Sequence, residues 1–241
     1  MKKNVFISGG DKGIGRAIAE LLAENGEQVV ITYNTNESGA NNLVMKYPTI
    51  KTYQCNMQDK NRIREVADAV LKQFGHIDVL INNAGYENDS TILKMKDEQW
   101  ENVLDVDLRA LFYTSHCFIP GMVEQGWGRI INMSSILGYT GVYGGANYAT
   151  AKAGVVGFTK SLALELGGKG ITVNAIAPGL IETDLLIRMP EKYRERLRDK
   201  IPSRAFGKPQ DIANLVDFLV SDKASYINGQ TIHVNGGMYA I

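Results

Sequence analysis

The sequence is poor in the features that would point to an extracellular, membrane or nucleic-acid role. It holds only two cysteines, Cys55 and Cys117, in 241 residues. They make neither a disulfide framework nor a CxxC ligand pair, which favours a reducing, cytoplasmic setting. Neither sign of charge is in excess, since 26 Lys and Arg balance 26 Asp and Glu. The basic footprint of a nucleic-acid binder is missing, and no polybasic tract offers itself to an anionic membrane surface. No apolar run approaches the ~20 residues of a membrane-spanning helix. The opening residues, Met1 to Ser8, begin as a signal peptide does but meet glycine before an apolar core develops. His76, His116 and His233 stand far from one another and from the cysteines, so no metal-ligand spacing is present. Proline is scarce as well: there are six, and four of them (Pro178, Pro190, Pro202 and Pro209) crowd into one region.

What is abundant is glycine, with 25 residues, set among short β-branched runs. Val5-Phe6-Ile7, Val29-Val30-Ile31, Ile50–Cys55, Asp78–Ile81, Arg129–Met133, Ile171–Ile176 and Thr231–Val234 are strand candidates. Helix-period segments, such as Ile14 to about Glu24, separate them. The strands are continuous Val/Ile runs rather than alternations, the pattern of a parallel sheet covered on both faces. The expected fold is α/β: one Rossmann-type, doubly wound parallel sheet of about seven strands with helices on both faces. No linker or composition shift divides the chain, so residues 1–241 read as a single domain. The proline-rich stretch 180–209 follows the sixth strand, where ligands sit in such sheets, and is a candidate substrate lid.

Directly after the first strand comes Ser8-Gly9-Gly10-Asp11-Lys12-Gly13-Ile14-Gly15. This is G-x-x-x-G-x-G, not the usual GxGxxG. Glycines at Gly9, Gly13 and Gly15 let the backbone approach a pyrophosphate, and the helix beyond presents open N–H groups and a partial positive charge. The second strand ends in Ile31-Thr32-Tyr33-Asn34-Thr35 without the carboxylate that accepts the ribose hydroxyls of NAD. Lys12 in the turn, with Asn34 and Thr35, suits a 2′-phosphate. NADPH is the expected cofactor, and Glu37 is the competing acidic candidate.

A second constellation joins Ser135, after the fifth strand, to Tyr148 and Lys152. Four residues apart, Tyr148 and Lys152 share one helix face. An ammonium beside a phenol is expected to favour the phenolate and lower a pKa ordinarily near 10. That makes a proton donor or acceptor for use near neutral pH.

Taken together, the Gly9/Gly13/Gly15 turn, Asn82-Asn83-Ala84-Gly85, Ser135, Tyr148/Lys152, and Pro178-Gly179 with Thr183 resemble the short-chain dehydrogenases/reductases along essentially the whole chain. Within that family the chain is most similar to 3-oxoacyl-[acyl-carrier-protein] reductases. This closer likeness rests on Val173–Asp184 and on the tail Gly229–Tyr239. The resemblance implies that Asn56 meets the adenine and that Asn83, Ala84 and Gly85 line the ribose. It implies too that Pro178, Gly179, Ile181 and Thr183 hold the nicotinamide end. Lys152 would bind the nicotinamide ribose, Ser135 would orient the keto oxygen, and Tyr148 would supply the proton. Family precedent also implies a homotetramer through the segments Trp100–Cys117 and Gly154–Leu166.

One departure stands out. The family's fourth catalytic residue, an asparagine at a helix break, falls here on Asp107. Its carboxylate is expected to attract Lys152 or to raise the Tyr148 pKa. The substrate is a small-molecule or carrier-bound acyl group. Lys169 occupies a basic position implied for docking an acidic acyl carrier protein. The second such position falls on Gly126, with Arg129 nearby in sequence. Gln125–Arg129 is similar to acetoacetyl-CoA reductases, and Tyr86, Glu87, Tyr139 and Tyr143 are candidates for an aromatic pocket of a polyketide or other secondary-metabolite ketoreductase. An NAD-dependent sugar or steroid alcohol dehydrogenase and a non-catalytic cofactor-binding scaffold subunit are the other readings.

Overall fold

A computed structural model describes residues 2–240. Seven strands form one sheet: β1 (Asn4–Ile7), β2 (Gln28–Tyr33), β3 (Ile50–Gln54), β4 (Val79–Asn82), β5 (Gly128–Met133), β6 (Ile171–Pro178) and β7 (Thr231–Val234). Their order is β3-β2-β1-β4-β5-β6-β7, and every pairing is parallel. The expected doubly wound sheet is therefore the one observed. Strand order reverses between β1 and β4, and at such a switch point the chain leaves a crevice beyond the carboxyl ends of the strands.

Alternation along the strands feeds two cores. Val5, Ile7, Val29, Ile31, Val79 and Ile81 pack with Ile18 and Leu22 of α1 (Gly13–Glu24), with Leu43 of α2 (Glu37–Lys46), and with Val216 and Leu219 of α10 (Pro209–Leu219). Phe6, Val30, Leu80 and Ile130 face the other way, onto Val66 and Val70 of α3 (Lys60–Phe74) and Phe118 and Met122 of α5 (Ala110–Gln125). All residues of β5 and β6 are buried, which is why both read as unbroken rather than alternating runs.

The segment before α5 is not one regular helix. α4 (Asp97–Leu104) runs into a wider π-helical turn, Asp105–Arg109, before α5 begins. After β5 come the short α6 (Leu137–Thr140) and the long α7 (Ala146–Leu166). Beyond β6 lie α8 (Asp184–Ile187) and α9 (Glu191–Arg198). That excursion has a small core of its own, where Leu186, Ile201 and Phe206 pack with Leu180, Met189, Leu197 and Met238. A bridge between Ile181 and Gly207 closes its base. Among the described residues no helix is long and apolar enough to cross a membrane.

Candidate active site

The glycine turn after β1 is backbone that side chains cannot enter. Gly9 and Gly13 lie at φ +66° and +54°, a region L side chains seldom adopt. A Cβ on Gly15 would fall 2.1 Å from the Gly9 carbonyl oxygen and 2.5 Å from Asn83 Nδ2. Asn83 braces the turn from the end of β4. Its Nδ2 donates to the carbonyls of Ser8 at 3.0 Å and Gly9 at 2.8 Å. Its backbone N–H and that of Ala84 both donate to Ser8 Oγ at 3.0 Å. The Asn83 side-chain nitrogen is thereby committed to the turn. α1 starts at Gly13 with no side-chain cap among the described residues, so its first N–H groups face the crevice open to an anion. Thr183 returns over the same turn, its Cγ2 3.3 Å from where a Gly13 Cβ would lie.

Lys12, Asn34 and Thr35 are exposed. The sequence gives no hint of the part played by Asp11 beside them. Asp11 is only 5% exposed, and its Oδ2 accepts a hydrogen bond from Asn36 Nδ2 at 3.0 Å. A carboxylate therefore sits between the glycine turn and the segment after β2. An acid in a turn is ordinary, and only its burial against Asn36 marks it out.

Tyr148 and Lys152 do share a face of α7, with the ammonium 5.4 Å from the Tyr148 ring centroid. Ser135, beyond β5, is buried, and its Oγ accepts the Leu137 N–H at 3.2 Å. Ser134 ties the strand end to α7 by donating to the Lys152 carbonyl at 2.9 Å. Gly138 lets α6 lie against that helix, since a Cβ there would meet Ala153 N at 2.8 Å. Asn147 fastens the start of α7: its Oδ1 accepts the Tyr148 N–H at 2.8 Å, and its Nδ2 donates to the carbonyls of Asn88 and Gln99, both at 3.0 Å. A buried polar chain supports the site from below. Thr114 donates to Asn82 at 2.6 Å, Asn82 to Asn132 at 2.8 Å, and Asn132 to Thr159 at 3.0 Å. These amides and hydroxyls come from four separate elements, so no local motif announces them.

The electrostatics around Lys152 correct the expected phenol chemistry. Its ammonium donates to the Met133 carbonyl at 3.0 Å and makes an ion contact with Asp107 Oδ2, also at 3.0 Å. Asp107 is fully buried in the π-helical turn, and its Oδ1 accepts the Tyr86 N–H at 2.7 Å. Lys152 does not bring the phenol below its ordinary range. Burial is the largest influence and raises the Tyr148 pKa; Lys152 and Ser135 oppose it, Asp107 and Glu87 reinforce it, and the balance is upward. A carboxylate beside the ammonium leaves the phenol facing a dipole in place of a full charge. Burial disfavours the Lys152 ammonium, but Asp107 first and Tyr148 next outweigh it and carry its pKa up. Asp107 is itself pushed up, because burial exceeds the pull of Lys152. Glu87 is exposed at the rim, and partial desolvation of its carboxyl, then Asp89 and Asp107, push its pKa up.

Other expectations fare differently. Lys169 is exposed as a docking cation must be. Arg129 is not available for that role. It is 3% exposed, stacks 4.3 Å from the Trp127 ring, donates to the Gly128 carbonyl at 2.8 Å and reaches Asp222 at 3.5 Å. The aromatic pocket is not assembled either. Tyr139 turns onto His233, 4.7 Å between centroids, and onto Tyr239, while Tyr143 stands 91% exposed. Asn56 lies exposed after β3, its Oδ1 accepting the Gln58 N–H at 3.1 Å. Ile181 is buried.

Residues 9–239 match the family model described as Enoyl-(Acyl carrier protein) reductase. The chain is 44% identical over 243 residues to the 3-oxoacyl-[acyl-carrier-protein] reductase of Staphylococcus aureus (strain Mu50), covering 99% of each protein. It is 43% identical over 240 residues to the protein of that name from Vibrio cholerae, covering 99% of this chain and 98% of the other. The Escherichia coli (strain K12) counterpart is 42% identical over 241 residues, again with 99% and 98% covered.

Proposed function

The chain belongs to the short-chain dehydrogenase/reductase family, and from that membership we propose that it reduces the 3-oxo group of an acyl thioester to the 3-hydroxy product with NADPH. The observation that carries the reading is a juxtaposition. The bare backbone cradle of the Gly9–Gly15 turn stands at the carboxyl end of β1 and Ser135 at that of β5, with only β4 between them and Tyr148 and Lys152 brought in from α7, in a chain similar from end to end to 3-oxoacyl reductases.

The residues fit a nicotinamide dinucleotide. Gly9, Gly13, Ile14 and Gly15 would offer backbone and the α1 N-terminus to the pyrophosphate, Asn56 would meet the adenine, and Asn83, Ala84 and Gly85 would flank the ribose. Pro178, Gly179, Ile181 and Thr183 would hold the nicotinamide end. Lys152 has three N–H donors; one goes to the Met133 carbonyl while Asp107 pairs with the charge, so donors are left for ribose hydroxyls. When bound, the reduced nicotinamide supplies the hydride to the carbonyl carbon. Ser135 polarises the keto oxygen, Tyr148 donates a proton to it, and Lys152 steadies the resulting phenolate.

The choice of NADPH rests on Lys12, Asn34 and Thr35 around an adenosine corner whose second strand ends without a carboxylate. Asp11 opposes a 2′-phosphate there, so the preference over NADH is modest. The stretch 180–209 serves as the lid of a single domain spanning 1–241, resting on a small core that it shares with Met238. Exposed Phe112 and Leu164, 51% and 87% accessible, suit burial in a homotetramer. Two free thiols suit a cytoplasmic setting, Cys55 being unreactive because burial pushes its pKa up to about 11.

With Arg129 buried and Gly126 carrying no charge, Lys169 is left alone at the surface implied for an acidic acyl carrier protein. This favours a second, neighbouring reading, a reductase of coenzyme A thioesters such as acetoacetyl-CoA. NADPH consumption followed at 340 nm with acetoacetyl-CoA and with the acetoacetyl-carrier protein tests both. Turnover of either supports the proposal, and the ratio of kcat/KM values assigns the carrier. No turnover of any 3-oxo thioester, with NAD reduced by a sugar or steroid alcohol, overturns it. Cofactor binding without turnover of any substrate would leave a scaffold subunit.

A further inference from the structure

We propose that Asp107 is a positioning residue that holds Lys152 against the Met133 carbonyl and, by neutralising its charge, keeps Tyr148 in the phenol form needed to donate a proton. The inference rests on the reading of Ser135, Tyr148 and Lys152 as a reduction site.

The geometry is that of a clamp. Asp107 is completely buried, and its two oxygens are divided between different partners: Oδ1 takes the Tyr86 N–H at 2.7 Å and Oδ2 meets Lys152 at 3.0 Å. The wider turn Asp105–Arg109 carries the carboxylate into the space beside Gly85, where a Cβ would come within 3.3 Å of Oδ2 and 3.7 Å of Lys152 Nζ. A side chain at position 85 would press on both charged groups, so Gly85 leaves room for the pair. One carboxylate thus sets both the lysine on α7 and the start of the loop after β4.

The charges facing the phenol come from three elements. Lys152 on α7 favours the phenolate, whereas Asp107 in the π-helical turn and Glu87 in the loop after β4 disfavour it; the Ser135 hydroxyl beyond β5 favours it weakly. Asp89 acts on Glu87 from the same loop. Without Asp107 the ammonium would stand uncompensated, and its full field would reach Tyr148. A phenol that ionises too early loses the proton it must deliver. Asp107 thus extends the alkaline range of ketone reduction while fixing the lysine that steadies the phenolate afterwards.

The test is Asp107→Asn, which removes the charge and retains an acceptor for the Tyr86 N–H. The alkaline midpoint of the kcat–pH profile for acetoacetyl-CoA reduction at saturating NADPH is expected about 1 to 2 pH units below that of the parent. The same downward shift is expected in the resting protein by NMR titration of ¹³Cζ-labelled tyrosine, with Tyr148→Phe assigning the resonance. Asp107→Ser, which also removes the charge, replaces the asparagine variant if that one does not fold. Midpoints within about 0.3 units of the parent in the NMR titration overturn the proposal. That arm needs no turnover, so a parent that reduces no thioester would refute the proposed reaction without deciding the role of Asp107.

Discussion

The glycine turn and the Asp107–Lys152 centre lie at the same end of the sheet and are built in opposite ways. The turn works by what is missing: Gly15 has no Cβ to strike the Gly9 carbonyl, and Asn83, which braces it, is neutral. The catalytic centre works by what is crowded in, with a buried cation, a buried anion and a half-buried phenol. Steric fit makes the first site all-or-none. Partly cancelling charges make the second adjustable, since replacing one member moves the balance without closing the space.

The largest separation between the two comes from Gly15→Ala. Its methyl group has nowhere to go, so NADPH affinity by fluorescence titration is expected to fall by more than about 100-fold, with a lowered Tm. An alanine variant that binds normally would break the contrast. Next comes Lys152→Met, expected to cost about 10³-fold in kcat and, by stranding Asp107, about 3 kcal/mol in urea unfolding. Adding Asp107→Asn should restore much of that stability and none of the rate; recovery of rate would mean that the lysine acts only structurally. Lys152 and Tyr148 both hold their protons more tightly folded than unfolded. The stability they contribute is thus whole below pH about 10 and drains away as pH rises through their raised folded values. Lys152→Met should lose the lysine part of that alkaline decline. The smallest effect belongs to the adenosine corner: Asp11→Asn is expected to raise the NADPH/NADH ratio of kcat/KM by about tenfold. An unchanged ratio would show that the Asp11 carboxylate faces Asn36 alone.

The same division explains what the sequence made legible. The strands, their parallel order class and the glycine turn are local patterns, and all appear where the Val/Ile runs and glycines place them. Tyr148 and Lys152 are legible because helical spacing alone puts them side by side. The balance of their charges is not, because it depends on Asp107, 41 and 45 residues earlier in the chain. Burial decides the remaining differences. Arg129 reads as a surface cation until Trp127 and Asp222 are seen around it, and Asp11 as a solvated turn residue until Asn36 closes on it. Tyr139 looks like part of an aromatic pocket because it follows Ser135 in sequence, yet α6 turns it toward β7. Fixing such residues requires knowing which distant elements meet.

Replacing Tyr148 by Phe tests the reaction chemistry most directly, because only the phenolic oxygen is removed. With acetoacetyl-CoA and NADPH, kcat is expected to fall at least about 1000-fold, while NADPH affinity stays within about threefold of the parent. A folded Phe variant that reduces the thioester at the parent's rate would contradict the assignment of Tyr148 as proton donor.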